Sequence, residues 1–518
     1  MKNSAIIMVL QGGVLMKKTL NWRKLSFLLI ALLPLAMCTG CFLLVALELI
    51  GTNITIRTTD RSITLRVKTM DGSPCKVLNG LRRLGTIKGD GSKQRIRHIN
   101  SKEEIVINGT NIQEFDCSNN GGLISLKCQK QGLASLNVSG LSNLTELICS
   151  ENGLTSLNLS GLTNLEKLDC WNNKLSSLDV SSLRKLKKLR CTWNELTSLH
   201  VSGLSSLSEL VCHTNQLVSL NLNGLHNLTR LECSGNQRTS LDLSAVPKLQ
   251  ELSCSGNPLA VLNLSAVPQL RELWCVGNQL AALNVSHLNA LTRLNCSENQ
   301  LTSLDLSGLS KLAELKCNKN KLTSLNVSNQ NALTLLGCSE NKLTSFDLSG
   351  LSKLAELKCD KNKLTSLNVR NLSTLSTLNC SDNQLAFLDL SGLTNLTEVN
   401  CPRNQLESFD VSSLTNLKKL WCYKNKLTAL NLNGLNRLTW LNCSANRLTA
   451  EDFKNLFSSL PDRTDKGEAG VAVLYIDIAE EKNYKDFTQP DVKEILDKAK
   501  AKNWELYKND RWQKENEL

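Results

Sequence analysis

The chain has few aromatic side chains and few histidines. Aromatic residues make up 4% of its 518 residues, which is low for a globular core. Only five histidines are present and they are scattered, which argues against a repeated acid–base site. The sequence contains no Gly-rich phosphate loop, no H-E-x-x-H zinc motif and no nucleophile elbow. We therefore predict that the chain is not an enzyme and that it holds no cofactor and no metal.

The chain also lacks an even distribution of charge. It carries 60 Lys and Arg against 47 Asp and Glu, a formal net charge of +13. Residues 1–110 hold 17 basic and 6 acidic side chains, so the remaining 408 residues are nearly balanced. This balance excludes a basic nucleic-acid groove over most of the chain, and we expect no nucleic-acid partner. The basic N-terminal part has two interpretations, attraction to anionic lipid headgroups or a merely solvated basic surface.

Cysteine, in contrast, is abundant and strictly periodic. Sixteen cysteines stand 21 residues apart, from Cys128 to Cys443. An Asn follows each of them by three residues, from Asn152 to Asn446, except in the first unit, which has Gln131. A fixed period over this length predicts one structural unit stacked many times. In such a solenoid the repeating positions build the core, and the positions that break the repeat face outward.

A single unit shows how each coil is expected to fold. Leu147 and Cys149 occupy alternate positions, which is typical of a short strand with one buried face, and stacked copies would form a parallel sheet. The return segment at 154–159 alternates too, so an extended segment and a tight 3₁₀-like turn both fit it. Each Asn lies at the bend after a strand, where its amide would pair backbone groups from coil to coil.

The repeated cysteine has two interpretations. As a small buried hydrophobe, it allows tight stacking of the coils. As a reactive thiol, it would bind metal or exchange disulfides, but stacked side chains point the same way and a disulfide needs a torsion near ±90°. No His accompanies the repeat at zinc-ligand spacing. We therefore predict a column of buried cysteines that serve packing.

These units resemble those of bacterial leucine-rich repeat surface proteins of the internalin type, in which Cys replaces a strand Leu to form a cysteine ladder. Similar units occur in leucine-rich repeat lipoproteins of the Bacteroidetes. The resemblance covers residues 112–448. It implies a leucine-rich repeat solenoid of about 16 coils, with a parallel β-sheet on a concave face. It also implies that binding uses this concave face.

At the N-terminal end of the repeats we predict a β-rich cap, because a stack of coils exposes an apolar face at each end. We place this cap at residues 52–116, with strands at 63–67 and 105–107, and the repeats at 117–448. Residues 112–117 resemble a repeat strand. Cys128 follows Cys117 by only 11 residues, so the first coil is expected to be short.

The other end predicts an α/β cap over residues 449–518. Helices are expected at 451–460 and 490–502, and strands at 471–478 and 504–507. The alternative is a small second binding module. The segment is similar to the C-terminal part of the Bacteroidetes lipoproteins, which favours a cap.

The N-terminus predicts export. An apolar run at 25–36 follows four basic side chains, Lys17, Lys18, Arg23 and Lys24. Thr39-Gly40-Cys41 resembles the end of a bacterial lipobox, in which Cys41 is lipidated and residues 1–41 act as a signal peptide. The alternative is an uncleaved membrane anchor at 25–47. Both interpretations place the repeats on the bacterial cell surface, at the outer membrane if Cys41 carries the lipid.

The outward positions of each strand are the candidate binding site. Residues at −3, −1, +1 and +2 from each Cys should point away from the core, and they vary far more than the frame does. Seven of them are predicted to bind a ligand: Trp171, Trp193, His213, Trp274, Trp421, Tyr423 and Trp440. Large aromatic side chains outside a core are enriched at binding sites. The alternative is tolerated surface drift in recently duplicated coils.

A mixed-charge region separates two aromatic groups on this face. Its members are Lys316, Lys319, Lys358 and Lys361, near Glu314, Glu356 and Asp360. The two repeats that carry these lysines are near copies, which favours drift for the lysines more than for the tryptophans.

Two functions from different classes stay open. In the first, a surface-anchored protein binds a protein or glycan ligand through the concave face, in adhesion or in host or community interaction. In the second, the solenoid is a structural spacer that presents a terminal module and has no ligand of its own. Replacing the outward tryptophans separates them, because only a binder would lose its ligand.

Overall fold

The computed structural model describes residues 53–476 and 482–508. The expected lipidation site Cys41 and the apolar run at 25–47 lie outside these residues, so both interpretations of the N-terminus stay predictions. The chain divides into two compact units, one ending at Gly153 and the other starting at Leu154, and each is described by itself. None of the helices in the described ranges has the length and apolar character needed to cross a membrane.

In its described residues, 53–153, the first unit has ten strands in two groups. They are Asn53–Thr58 (β1), Ser62–Thr69 (β2), Cys75–Asn79 (β3), Arg82–Ile87 (β4), Asp90–Arg97 (β5), Ile105–Asn108 (β6), Ile112–Asp116 (β7), Leu123–Lys127 (β8), Ser135–Asn137 (β9) and Glu146–Ile148 (β10). One group joins β4, β3, β6, β1 and β8 in antiparallel pairs, and β10 pairs with β8 in parallel. The other is a four-stranded sheet in the order β5-β2-β7-β9. The strands expected at 63–67 and 105–107 are present as β2 and β6.

Alternation of side chains explains the four-stranded sheet. In β2, the apolar residues Ile63, Leu65 and Val67 are at most 1% exposed, and the polar residues between them are exposed. Successive side chains of a strand point to opposite faces, so one face of this sheet covers a core and the other is polar.

The segment at 112–117 does not lie where its resemblance to a repeat strand predicted. As β7 it pairs antiparallel with β2 and parallel with β9, where Phe115 lies opposite Leu136 on the return side of a coil. The prediction was wrong because both halves of a coil share the same inward spacing. Ile112, Phe115 and Cys117 match that spacing equally well as a return segment, and the strand of the first coil is β8.

The second unit repeats one short strand at 21-residue intervals. The fourteen repeat strands among its described residues are Lys167–Asp169 (β11), Lys188–Arg190 (β12), Glu209–Val211 (β13), Arg230–Glu232 (β14), Glu251–Ser253 (β15), Glu272–Trp274 (β16), Arg293–Asn295 (β17), Glu314–Lys316 (β18), Leu335–Gly337 (β19), Glu356–Lys358 (β20), Thr377–Asn379 (β21), Glu398–Asn400 (β22), Lys419–Trp421 (β23) and Trp440–Asn442 (β24). Each pairs in parallel with the next in the same register, so that Leu168 lies opposite Leu189. Equivalent residues of successive coils therefore form columns, and the predicted parallel solenoid is confirmed.

The core of each coil consists of seven inward side chains. In the coil counted from Cys170 they are Cys170, Leu175, Leu178, Val180, Leu183, Leu186 and Leu189, all at most 5% exposed. Burial of one Leu side chain contributes about 1.5–3 kcal/mol, so the stacked columns supply the main favourable term in folding.

The return side closes each coil with tight turns. In the second unit it carries no strand in the described residues up to the last repeat. The N–H of Leu162 donates to the carbonyl of Leu159 (3.2 Å), and the N–H of Leu165 donates to that of Leu162 (3.0 Å). These bonds have the three-residue step of a 3₁₀ turn, so the chain turns by this route after a short irregular segment.

The cysteine column is buried, as predicted. Every ladder cysteine carries a thiol and is at most 1% exposed. Burial raises the pKa of five of these thiols to about 12: Cys212, Cys296, Cys338, Cys380 and Cys422. Because a thiolate would be desolvated there, the thiols are neutral and act as small apolar side chains.

The asparagine column ties each coil to its neighbours. The amide nitrogen of Asn194 donates to the carbonyls of Cys170 and Cys191, both at 3.1 Å, and its side-chain oxygen accepts from the N–H of Leu175 (3.0 Å). One side chain thus satisfies backbone groups of two coils that would otherwise be buried unpaired. Asn483 of the C-terminal cap repeats this role, donating to the carbonyl of Cys443 (3.0 Å) and accepting from Leu448 (2.9 Å).

The C-terminal cap combines helices and strands. Its elements are Ala450–Ser459 (α1), Gly470–Val473 (β25), Pro490–Ala501 (α2) and Trp504–Tyr507 (β26). β25 and β26 extend the parallel sheet beyond β24, and α1 begins with a capping box between Thr449 and Asp452. The expected helices are confirmed within two residues. The strand expected at 471–478 is shorter and ends at Val473.

Candidate functional site

The candidate site is a face of the long sheet, which we call the strand face. It consists of the side chains at −3, −1, +1 and +2 from each ladder cysteine in the second unit. The alternation of a strand places them outward, because the residue at −2 and the Cys itself point into the core. In the coil of Cys170, Leu168 is 0% exposed whereas Lys167 and Trp171 are half-buried.

The first aromatic group on this face lies on three successive coils. Trp193 is 57% exposed and has a positive φ of 53°, the left-handed conformation shared by the residue at +2 in neighbouring coils. Trp171 and His213 are half-buried, and the Nδ1 atom of His213 lies 3.2 Å from the hydroxyl of Thr214. A bulky side chain in the left-handed region is strained, so a Trp at this turn is conformationally unfavourable for folding.

Charged side chains flank this group, and two of the cations share one carboxylate. Lys188 Nζ lies 3.1 Å from one carboxylate oxygen of Glu209, and Arg190 Nε lies 3.4 Å from the other. Partial burial lowers the pKa of His213, and the carboxylate of Glu232 at 4.0 Å offsets part of this effect. The group therefore offers an exposed indole beside a neutral imidazole and two cations that are already paired.

The second aromatic group lies on the last two repeat strands. The rings of Trp421 and Trp440 have centroids 6.2 Å apart and planes inclined by 39°. Lys419 Nζ lies 6.0 Å from the centre of the Trp421 ring and 2.9 Å from Glu398. Tyr423 stands two residues after Trp421 and is half-buried. Adjacent strands thus bring two tryptophans into contact, as a broad apolar surface on an otherwise polar face.

The remaining tryptophan, Trp274, belongs to neither group. It lines an open cavity of about 350 Å³ with six other residues: Arg230, Glu232, Glu251, Leu252, Ser253 and Glu272. Arg230 Nη1 lies 2.7 Å from Glu251, and Arg230 also pairs with Glu232. The acidic side chains of this cavity were missed in the sequence, although the recurrence of Glu at −3 gave a signal for two of them.

The mixed-charge region consists of local ion pairs. Lys316 lies 2.6 Å from Glu314 and Lys358 lies 2.5 Å from Glu356, each two residues away on the same strand. Lys319 and Lys361 pair with other partners, Glu298 at 2.9 Å and Glu340 at 3.1 Å. Asp360, which the sequence placed near the lysines, accepts instead from the hydroxyl of Ser339 and from the amide of Asn379. The region therefore presents no unpaired charge among these lysines.

Sequence reasoning also missed exposed apolar residues on the return side. Val218, Val261 and Phe387 are between 60% and 72% exposed. Phe387 lines a cavity of about 490 Å³ that also includes Phe409 and Asp389. The available signal was an apolar residue at an outward position between two core leucines.

Comparison with known proteins assigns the family. A profile for leucine-rich repeats in two copies matches residues 142–185. The functional domain of InlJ from Listeria monocytogenes, which includes a cysteine ladder, is 30% identical in sequence with a TM-score of 0.57, covering 68% of this chain and 77% of that one. The chain belongs to the leucine-rich repeat family. Its column of buried cysteines at 21-residue spacing is a cysteine ladder of the internalin kind.

Other solved leucine-rich repeat structures share the architecture. A leucine-rich repeat protein from Leptospira interrogans is 26% identical with a TM-score of 0.60, covering 64% of this chain and 93% of that one. YopM from Yersinia enterocolitica is 26% identical with a TM-score of 0.54, covering 63% and 74%. No match was found among curated proteins. The solenoid fold shared with internalins implies a capacity to bind protein.

Proposed function

We propose that this leucine-rich repeat chain is a surface-anchored protein that binds a protein ligand through its strand face, in adhesion or in host or community interaction. The observation that carries the proposal is the outward placement of large aromatic side chains there, of which Trp193 is exposed and the others are half-buried. Trp193 stands 57% exposed at a turn position in the left-handed region, where a bulky side chain is strained. Trp421 and Trp440 contact each other on a polar surface. Both features oppose solubility and ease of folding, so we attribute them to a ligand.

The charges on the face favour a protein over a glycan as the ligand. Protein interfaces concentrate their binding energy in a few aromatic and Arg anchors surrounded by polar side chains. The two aromatic groups fit such anchors, and the ion pairs between them fit the polar surroundings. These ion pairs are solvent-exposed, so each contributes only about 0–1 kcal/mol and serves orientation more than affinity.

Anchoring at the cell surface is a separate part of the proposal. It rests on the sequence alone, where basic residues precede an apolar run and Cys41 ends a lipobox-like segment. Metabolic labelling with a palmitate analogue tests it. The wild-type chain should take up the label and a Cys41→Ala variant should not. Equal labelling of both, or labelling of neither, would contradict lipidation at Cys41.

The ligand site is tested with the full chain in detergent micelles on an array of host and bacterial surface proteins, with glycans alongside. A Trp193→Ala/Trp421→Ala variant should lose the ligand while keeping its circular dichroism spectrum. The matched control is Val218→Ala/Phe387→Ala, which removes exposed apolar side chains from the return side and should bind like the parent.

Each other outcome has a defined meaning. Binding that survives the tryptophan variant but not the return-side variant would move the site to the other face. A glycan captured in place of a protein would contradict the assigned ligand class. No ligand for the parent chain would favour the spacer, which needs no contact on the solenoid.

A further inference from the structure

We infer that the outer face of the four-stranded sheet in the first unit is a docking surface for an anionic lipid membrane. This inference is independent of the ligand of the strand face. It starts from the edge strand β5, whose side chains Lys93, Arg95 and Arg97 are all exposed and alternate with residues that face the sheet interior. Side chains two apart on a strand point the same way, so these three cations form one row.

The neighbouring strand adds charge of the same sign instead of neutralising the row. Arg66 of β2 lies directly opposite Lys93 on one side and opposite Asp116 of β7 on the other, so Asp116 offsets the charge of Arg66 and the uncompensated cations are those of β5. Arg95 donates to the hydroxyl of Ser62 (2.9 Å), which is uncharged. Within the described ranges, the row of Lys93, Arg95 and Arg97 forms no salt bridge, whereas Lys68 farther along β2 pairs with Glu114 at 2.7 Å. Opposite charges in this sheet therefore meet on its inner strands β2 and β7, and the edge strand β5 stays cationic.

The composition of this region selects lipid phosphates over nucleic acid. Residues 53–111 contain 12 basic and 5 acidic side chains and no Phe, Tyr or Trp. Single-stranded nucleic acids are bound by stacking of bases on aromatic side chains, which this region lacks. A flat row of Lys and Arg without aromatic residues fits a surface of phosphate headgroups. Each such residue near an anionic membrane adds to the attraction, which salt screens.

The position of the sheet in the chain supplies a second argument. Five residues, 48–52, separate the apolar run at 25–47 from Asn53, the first residue of β1. An extended segment of that length spans at most about 20 Å. If the apolar run is held by a membrane, the basic row is held near the same surface; if a lipidated Cys41 is the anchor, the twelve-residue step to Asn53 reaches at most roughly 40 Å. A competing role for the cations is protection of an exposed edge strand against pairing with another chain.

The experiment uses the full chain assembled into lipid nanodiscs, either of phosphatidylcholine alone or with phosphatidylglycerol. The discs are isolated through their scaffold protein, and lysines are acetylated under single-hit conditions and quantified by mass spectrometry. Acetylation of Lys93, relative to the exposed Lys363 of the second unit, should be about fivefold slower in the anionic discs. At about 1 M salt, where the Debye length falls to roughly 3 Å, the difference should disappear.

Two double variants make the result specific. Arg95→Gln/Arg97→Gln keeps Lys93 as the reporter and should restore its acetylation in anionic discs. Arg271→Gln/Arg437→Gln removes the same charge from exposed positions of the second unit and should leave the protection intact. Circular dichroism checks that both variants fold.

Several results would overturn the inference. They are equal acetylation of Lys93 in the two disc types, equal loss of protection in both double variants, and no recovery of the chain with anionic discs. Aggregation of Arg95→Gln/Arg97→Gln with unchanged protection of Lys93 would assign the cations to edge protection instead.

Discussion

The inward columns of the second unit and its strand face belong to the same coils, yet they differ in how strictly their residues repeat. The column five residues after each ladder cysteine is Leu from Leu133 to Leu448, with one exception. The column directly after the cysteine holds Trp, Thr, His, Ser, Val, Asn, Asp, Pro and Tyr in different coils. Close packing in the core penalises a change of one methylene, whereas solvent tolerates most side chains. The comparison shows that the residues that hold the fold and the residues that are free to vary occupy separate positions of one repeat.

The one residue that interrupts this Leu column is Arg238. It takes the place of a core Leu, is 1% exposed, and its backbone N–H keeps the bond to Asn257 (3.3 Å). Its Nη2 atom lies 3.9 Å from the thiol sulfur of Cys212, the thiol of Cys233 also contacts the guanidinium, and its Nε and Nη1 atoms have no hydrogen-bond partner among the described residues. A buried guanidinium without a counter-charge is costly, so this coil is the weak point of the inward columns.

We expect alkaline pH to lower the stability of the inward columns more than any substitution below. Folding raises the thiol pKa to about 12 at Cys296, Cys338 and Cys380, compared with about 8.5 in unfolded chains. Between these values the unfolded state binds fewer protons, so stability is complete below about pH 8.5 and falls as pH rises. Each thiol contributes a slope of about 1.4 kcal/mol per pH unit. Urea unfolding from pH 8 to 10.5 should therefore show steep alkaline destabilisation.

A triple variant assigns that slope to the ladder. In Cys296→Ala/Cys338→Ala/Cys380→Ala, the slope should be smaller by about 4 kcal/mol per pH unit, since three thiols are removed. Lysines that deprotonate in the same range are common to both proteins. An unchanged slope would mean that the thiols are not buried in solution.

A smaller difference in stability is expected between alanine variants of two adjacent leucines on one strand. Leu336 is 0% exposed in the core, whereas Leu335 at −3 is half-buried on the strand face. Leu336→Ala should lower the free energy of unfolding by about 2–5 kcal/mol, because it leaves a cavity. Leu335→Ala should cost about 1 kcal/mol or less. Urea unfolding measures both, and equal losses would break the division between columns and face.

The smallest of these effects has the opposite sign. Arg238→Leu restores the Leu column and should stabilise the chain by about 1–4 kcal/mol, because an unpaired buried charge is replaced by an apolar side chain. The control Arg437→Leu, at an exposed position, should change stability by about 0.5 kcal/mol or less. Thermal unfolding at neutral pH compares them. Destabilisation by Arg238→Leu would show that the guanidinium has a compensating partner in solution.

Much of the fold followed from periodicity. The spacing of Cys, Asn and Leu predicted the parallel sheet and the buried ladder, and the apolar patterns within residues 449–518 predicted the α/β character of the C-terminal cap. It misplaced residues 112–117 because the two halves of a coil share one inward pattern, so that spacing alone cannot tell a strand from a return segment. It also ended the Asn column at Asn446, since Asn483 comes from outside the repeat and reaches the ladder only through the folded cap.

The sequence predicted which residues of the candidate site point outward, but it did not predict which of them contact one another. Outward tryptophans follow from counting residues from each cysteine. The contact between Trp421 and Trp440 depends on strand register, and the cavity beside Trp274 depends on how Arg230 packs against two carboxylates. The partners of Lys319 and Lys361 lie one coil earlier, which a search along the local sequence does not reveal.

The most direct test measures stability and ligand binding on the same Trp193→Ala/Trp421→Ala sample of the full chain. If the inward columns hold the fold and the strand face binds, the free energy of unfolding should change by about 1 kcal/mol or less and ligand binding should be lost. A chain that binds its ligand as the parent does, or that loses several kcal/mol of stability, would contradict this separation of fold and function.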